Sequence, residues 1–280
     1  VRTLQIEAYA KINLGLRVLS KRPDGYHEID TVLQSVDLCD LLTLWARSDG
    51  KVVLEMEPEL GIPAEANLAY QAAQLLKGRA GLAQGVQIRI EKHVPAGAGL
   101  GGGSSDAAAV LAGLNALFAL GLSVHELIAL GAELGSDVPF FLLGGRCRAR
   151  GRGERLEKLP DAAVKREMYV LLVPPFALST REVYQTFDQL KTSQALSSPY
   201  PNDLEAAALA LRPDLKIYRR FLQQQGVPFG MSGSGPTYFA VLPSEAQAQA
   251  LAERAKRELP TGTQAFVCRP TRVGYALRGP

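Results

Sequence analysis

The chain has 280 residues, 47% of them hydrophobic and 21% charged, and carries a formal net charge of +3. That is an ordinary globular composition with no apolar run of membrane-span length, no secretory leader pattern in VRTLQIEAYAK, and too little charge to argue for nucleic acid. Cys39, Cys147 and Cys268, like the three histidines, are too scattered for a disulfide framework or a zinc cage, so buried free thiols in a cytoplasmic protein are expected.

The first element, LQIEAYAKINLGLRVL, alternates almost strictly. Ile6, Ala8, Ala10, Ile12, Leu14, Leu16 and Val18 fall on one side, and Tyr9, Lys11, Asn13 and Arg17 on the other. A period of two is that of a half-buried strand. Pro23 and Gly25 in KRPDGYHEID supply a turn. A β-rich stretch through Val32–Leu44 and the strand KVVLEME follow. In AEANLAYQAAQLLKGRAG, Leu68, Ala72, Leu75 and Leu76 share one helical face. VQIRIEKHV alternates again and runs into a glycine-rich loop. Beyond that loop a helix is predicted from about Asp106 to Leu120, stopped at Gly121. Ser123 and Glu126 have capping-box spacing and open another, ending near Gly135. Pro139 in SDVPFFLLGG is expected to force Val138 out of helical geometry.

The segment GGRCRARGRGERLEK then concentrates Arg146, Arg148, Arg150, Arg152 and Arg155. Their period of two suits the solvent face of an edge strand, and no stacking aromatics are interleaved as a nucleic-acid groove would require. The second half restarts with the strand MYVLLVPP. Ser179 and Glu182 can cap a short helix, KTSQALSSPYPND is the most loop-like segment, and Asn202 with Glu205 can cap a further helix. DLKIYRRFLQQQG makes one more. FGMSGSGPTYFAVLP is a second glycine-rich turn leading into a strand; a helix capped by Ser244 and the β segment TQAFVCRPTRVGYAL close the chain. Strands and helices alternating in both halves predict an α+β fold of two domains, residues 1–155 and 156–280, the break falling within about 150–165.

Five of the seven residues from Gly97 to Gly103 are glycine, and Gly97, Gly99 and Gly102 satisfy G-x-G-x-x-G. The context rejects a dinucleotide fold, because a helix, SVHELIALGAEL, stands where the second strand should be. It rejects a protein kinase too: this loop opens a helix, and neither H-R-D nor D-F-G is present. A Walker P-loop is also absent. The common physics survives, since glycines let backbone amides approach an anion and the following helix adds its positive end.

At this point PAGAGLGGGSSDAA resembles the phosphate loop of the GHMP small-molecule kinases, which include galactokinase, homoserine kinase and mevalonate kinase. Extra glycines before Ser104 lengthen the common pattern Pro-x-x-x-Gly-Leu-x-Ser-Ser. With AKINLGLRVLSKRPDGYHEIDTVLQ, LGSDVPFFL and GMSGSGPTYFAV in order over nearly the whole chain, the longer form is similar to one branch. Its members phosphorylate the 2-hydroxyl of 4-diphosphocytidyl-2-C-methyl-D-erythritol in non-mevalonate isoprenoid synthesis. The resemblance implies ATP as co-substrate with Mg²⁺. It implies a ribosomal-protein-S5-like N-terminal domain and a ferredoxin-like C-terminal domain with the site between them.

By that resemblance Pro95, Ala96, Gly97, Ala98, Gly99, Leu100, Gly101, Gly102, Gly103, Ser104 and Ser105 surround ATP, with Ser105 a candidate magnesium ligand. Asn67 and Lys92 match positions associated with the nucleotide. Asp137, in what reads as an apolar setting, is the implied base, with Lys11 as its partner. Asn13, about 7 Å along the strand from Lys11, can reach the same substrate. Tyr26 can stack on a cytosine and His27 can bond its edge, while Tyr184 matches a second stacking aromatic. Asn202 and Asp203 read as a helix cap, with a substrate role open. The implied partner is a small molecule carrying cytidine diphosphate, with neither nucleic acid nor membrane. Rival readings are another GHMP kinase, against which GYHE argues, and an S5-like RNA-binding protein using the arginine run.

Overall fold

The computed structural model describes residues 2–59, 61–160, 167–190, 196 and 198–278. Two long strands dominate the first half, β1 (Thr3–Lys21) and β2 (His27–Arg47), paired antiparallel across the turn that carries Pro23 and Gly25. β3 (Val52–Glu57) and β4 (Gly85–Glu91) lie parallel, joined by the helix α1 (Leu68–Ala80), as a parallel pair requires. The hairpin β5 (Arg146–Gly151) and β6 (Arg155–Lys158) adds to the other edge of β2. The last strand, β11 (Tyr275–Arg278), returns to pair with β1 and gives a seven-stranded sheet.

The helices α1 and α2 (Gly102–Leu117) pack over this sheet, and α3 (Val124–Leu134) packs on them. α2 is buried nearly all round, which its run of Ala107, Ala108 and Ala109 permits. At Gly113 a β-carbon would meet Ile6 Cδ1 at 2.3 Å and Leu44 Cδ1 at 2.6 Å, so the helix lies against the sheet only because that side chain is missing. The short helix α4 (Val138–Leu143) follows α3.

The second unit has the order β-α-β-β-α-β: β7 (Met168–Val173), then α5 (Thr180–Leu190), α6 (Glu205–Leu211) and α7 (Leu215–Gln225), then β8 (Phe229–Met231), β9 (Tyr238–Leu242), α8 (Glu245–Glu258) and β10 (Gln264–Cys268). Its strands run β10-β7-β9-β8, the arrangement of a split β-α-β sheet. β1 threads three apolar clusters in turn. Ile6 and Ala8 join the first core, Ala10 and Ile12 join a cluster shared with Tyr169, Leu171 and Phe239 of the second sheet, and Leu16 belongs to the second core. Register shifts after Tyr9 and after Asn13 accompany those changes of partner.

Several expectations are corrected. α2 begins at Gly102, four residues before Asp106, because glycines tolerated in a loop also continue a helix once its first turn is pinned. Val138 opens α4, with Pro139 in the first turn, where the missing amide hydrogen costs nothing. β5 is an inner strand between β2 and β6, not an edge. Its arginines are accordingly engaged: Arg146 is buried on Gln34, Glu167 and Tyr169, and Arg148 clasps Asp30. The side of β1 expected to be open is covered midway, so Lys11 and Asn13 are buried. Leu204, not Asn202, is the N-cap residue of α6, but Asn202 does hold the helix entry: its Oδ1 accepts from the Leu204 amide at 2.9 Å while its NH₂ bonds the second glycine turn. Cys147 and Cys268 are buried free thiols, but Cys39 is half-buried. The expected loop KTSQALSSPYPND lies partly outside the described residues. Among the described residues no helix is long and apolar enough to cross a membrane.

Candidate active site

A cleft of about 1040 Å³ opens between the two units. The glycine loop forms one wall, and its shape follows from alternating residue types. Ala98 and Leu100 sink into the apolar cluster between the sheets, while Gly97, Gly99 and Gly101 take left-handed φ of 63°, 75° and 75°. At Gly99 a β-carbon would lie 2.5 Å from the Ser232 carbonyl oxygen, and at Gly101 2.7 Å from the Phe141 ring. Side chains are therefore excluded where the backbone turns, and anchors are buried in between. Gly101 caps α2, so the unpaired amides of its first turn fall on Gly102, Gly103 and Ser104, all of which line the cleft. Pro95, Ala96 and Gly97 line it as well.

Two residues of the loop do not reach that wall. Leu100 is fully buried, and its carbonyl accepts from the Lys11 amide. Ser105 is equally buried, and its hydroxyl donates to the Tyr9 carbonyl at 2.7 Å, which takes it out of contention as a magnesium ligand. Lys92 lines the cleft, but its ammonium donates to Asp40 at 2.5 Å and Asp106 at 2.7 Å. Asp40 also accepts from the His93 and Val94 amides, which fixes the end of β4 where the loop departs. Burial lowers the tendency of Lys92 to hold its proton, but the two carboxylates outweigh it and its pKa stands above the ordinary value. Burial, opposed by Lys92, pushes the Asp106 carboxyl up to about 7, and its Oδ1 has no hydrogen-bond partner. Asn67 caps α1, its side chain accepting from the Ala69 amide at 2.8 Å, and borders the same cleft.

Opposite the loop, Lys11 is 5% exposed and its ammonium lies 2.7 Å from Asn13 Oδ1 and 3.7 Å from Asp137 Oδ2. Asn13 is in turn held by Thr31 at 3.0 Å. Asp137 precedes α4, and its side chain is 36% exposed to the cleft, more open than the apolar run around it suggests. The second glycine turn comes against this group from the other unit. The Ser232 hydroxyl donates to the Gly99 carbonyl at 3.0 Å and accepts from the Asn13 amide at 3.3 Å. Asn202 donates to the carbonyls of Met231 and Gly233, and Ser234 pairs with Thr180.

The far end of the cleft is aromatic. Tyr26 is 54% exposed, with the Arg152 guanidinium 4.9 Å from its ring centroid. His27 is buried against α5: its ring stacks on Tyr184 at 4.8 Å, and its Nε2 lies 2.7 Å from Asp188 Oδ1. Lys21 donates to the other oxygen of Asp188, and that bond, followed by the one from His27, holds the carboxyl below the usual range. Tyr184 thus stacks on a protein ring here, and burial raises its phenol well above the ordinary value. Sequence reasoning missed Ser232, Thr180 and Asp188 as parts of this site, and left Asn202 with an open role only. The motif GMSGSGP was the available signal for Ser232; nothing local signals Asp188.

The family models for the GHMP kinase N-terminal and C-terminal domains match residues 67–145 and 176–261. A 4-diphosphocytidyl-2-C-methyl-D-erythritol kinase of Exiguobacterium sibiricum is 41% identical over 89% of this chain and 92% of its own. One from Shouchella clausii is 42% identical over 86% of each. Among solved structures, a 4-(cytidine 5'-diphospho)-2C-methyl-D-erythritol kinase superposes with a TM-score of 0.79 at 37% identity, covering 95% of this chain and 98% of that one. A homoserine kinase from Cytophaga hutchinsonii reaches the same TM-score of 0.79 at 19% identity over 99% and 98% of the two chains, a likeness of fold alone. The buried ammonium facing Asp137, the two interlocked glycine turns and these matches agree, and the chain belongs to the GHMP kinases, in the branch of the 4-diphosphocytidyl-2-C-methyl-D-erythritol kinases.

Proposed function

We propose that this chain transfers the γ-phosphoryl group of ATP to the 2-hydroxyl of 4-diphosphocytidyl-2-C-methyl-D-erythritol, with release of ADP. The observation that carries the mechanism is the Lys11–Asp137 pair, 3.7 Å apart, set across one cleft from the amides of a glycine loop. The alcohol oxygen forms the new bond to phosphorus, the bond to the ADP oxygen breaks, and the hydroxyl proton passes to Asp137. Lys11, aimed by Asn13, lies where charge develops on the attacking oxygen and needs no reorganisation to meet it. General-base help is worth about 10²–10⁴ in rate, so positioning and charge neutralisation by the loop amides and Lys11 supply most of the acceleration.

The donor set fits Mg²⁺ carried in with ATP. Among the described residues no cluster of three His, Cys, Asp or Glu side chains forms a cage. Mg²⁺ keeps several waters and takes one or two protein oxygens beside the phosphates. The Ser104 hydroxyl on the cleft wall and the unpartnered Asp106 Oδ1 behind it are the oxygens that would hold it. When bound, the ion neutralises phosphate charge. Lys92, committed to two carboxylates, acts in this reading by stiffening the loop beneath the nucleotide, and Asn67 borders the nucleotide.

Tyr26 and His27 are proposed to receive the cytosine, with Tyr184 backing His27. Action in the cytoplasm, where ATP is available, belongs to the same proposal. The domain division is proposed to follow sheet membership: β1 to β6 with β11 form one unit and β7 to β10 the other, in place of a cut at 155/156, which falls inside β6. A coupled ADP-release assay over a panel of alcohols tests the assignment. Turnover should be confined to the diphosphocytidyl polyol; equal turnover of homoserine or mevalonate would overturn it.

A further inference from the structure

We propose that Asp188 sets the base preference of this site by fixing which ring nitrogen of His27 carries the proton. The proposal rests on the reading above, in which His27 meets the substrate's pyrimidine.

Three residues of α5 hold the His27 ring. Tyr184 stacks on its face at 4.8 Å and 26°, Phe187 meets it edge-on at 6.3 Å, and Asp188 Oδ1 lies 2.7 Å from Nε2. Spacings of three and four put these side chains on one stripe of the helix, facing a residue of the other unit. The second oxygen of Asp188 accepts from Lys21 Nζ at 2.6 Å, so the carboxylate cannot swing away without losing both partners.

An ionised carboxylate only accepts hydrogen bonds, so Nε2 must donate. In a neutral imidazole Nδ1 is then an acceptor. Nδ1 has no hydrogen-bond partner among the described residues, and His27 lines the cleft. A lone acceptor suits a base edge that presents an amine, as cytosine does at N4. Uracil presents O4 at the same place, where two acceptors would confront each other and leave both unsatisfied. Asp188 touches no substrate in this account; it is a positioning residue acting through His27.

Asn at this position has a distinct consequence. Lys21 only donates, so the amide oxygen of an Asp188→Asn variant turns towards Lys21 and its NH₂ faces Nε2. The ring proton must then move to Nδ1, which becomes a donor and suits O4 of uracil.

The test is steady-state kinetics at saturating ATP with the cytidine substrate and its uridine counterpart, alongside ¹⁵N NMR of histidine-labelled enzyme. The wild type should prefer the cytidine substrate by about ten- to a hundredfold in kcat/KM, with the His27 proton on Nε2. Asp188→Ala should raise the KM for the cytidine substrate about tenfold and erase the preference, leaving kcat and the KM for ATP unchanged. Asp188→Asn should reverse the preference and carry the proton on Nδ1. An unaltered preference in both variants, or a wild-type proton on Nδ1, overturns the proposal. So does an equal loss of kcat on both substrates, the mark of a merely structural residue. A wild type that turns over neither pyrimidine substrate would instead sink the assignment of function on which this one stands.

Discussion

The two ends of the cleft are built on different terms. The end proposed to hold phosphate is made of backbone, wedged between apolar anchors: Ala98 and Leu100 are buried in the cluster between the sheets, and Ser232 of the other unit ties down the Gly99 carbonyl. The end proposed to receive the base is made of side chains at a turn. Tyr26 stands half out in solvent under Arg152, and His27 is clasped by an ion pair whose lysine is 60% exposed. Chemistry shared by every ATP-dependent member of a family needs fixed amides, whose cost is met in the core. Choice of acceptor needs a site that can be rewritten without disturbing the fold, and a polar clasp at the rim provides it.

That contrast can be broken by experiment. The largest effect belongs to the group between the two ends. Asp137→Ala should lower kcat by about 10²–10⁴ while ATP affinity, measured by calorimetry, stays the same; intact turnover would remove Asp137 as the base. Gly99→Ala comes next. Its φ of 75° and the Ser232 oxygen 2.5 Å from an added β-carbon should destabilise the protein by about 1–3 kcal/mol, with a lowered melting temperature and a raised KM for ATP. A variant with unchanged melting would mean the loop is not wedged. Tyr26→Ala should leave melting unaltered and raise only the KM for the polyol, by about tenfold, as loss of one base-stacking ring predicts; a shift in the KM for ATP would place Tyr26 at the wrong end. Ser232→Ala is the mildest, about 1 kcal/mol from a lost pair of hydrogen bonds, and it should show in thermal unfolding.

Much of the scaffold was legible because its signals are local. The alternation of β1, the glycine loop between a strand and a helix, and the Ser123–Glu126 capping box all appear as read. The side of β1 that carries Lys11 and Asn13 was also legible, but not its burial, since what covers it is the Gly233 turn more than two hundred residues along the chain. Ser105 looked like a ligand because serines after glycine loops bond phosphates. Starting α2 at Gly102 turns its hydroxyl inward to Tyr9 and leaves Ser104 outside. Lys92 matched a position associated with the nucleotide, and its commitment to two carboxylates was not legible because they lie 52 and 14 positions away. Asp188 was beyond reach for the same reason: its partner, His27, is 161 residues distant.

The return of β11 to the first sheet has a consequence for how the molecule is made. Gln5 pairs with Arg278, the Tyr9 amide donates to the Gly274 carbonyl, and Gly274 passes so close to Phe141 that a β-carbon would lie 2.0 Å from its carbonyl oxygen. The strand thus closes the edge of β1 and braces α4, the helix that Asp137 precedes. On the ribosome, the first unit must wait with one strand edge open until this segment emerges, an invitation to pairing between nascent chains. Asp137, the proposed base, gains this support only after the second unit has been synthesised, so the proposed site is completed with both of its walls in place.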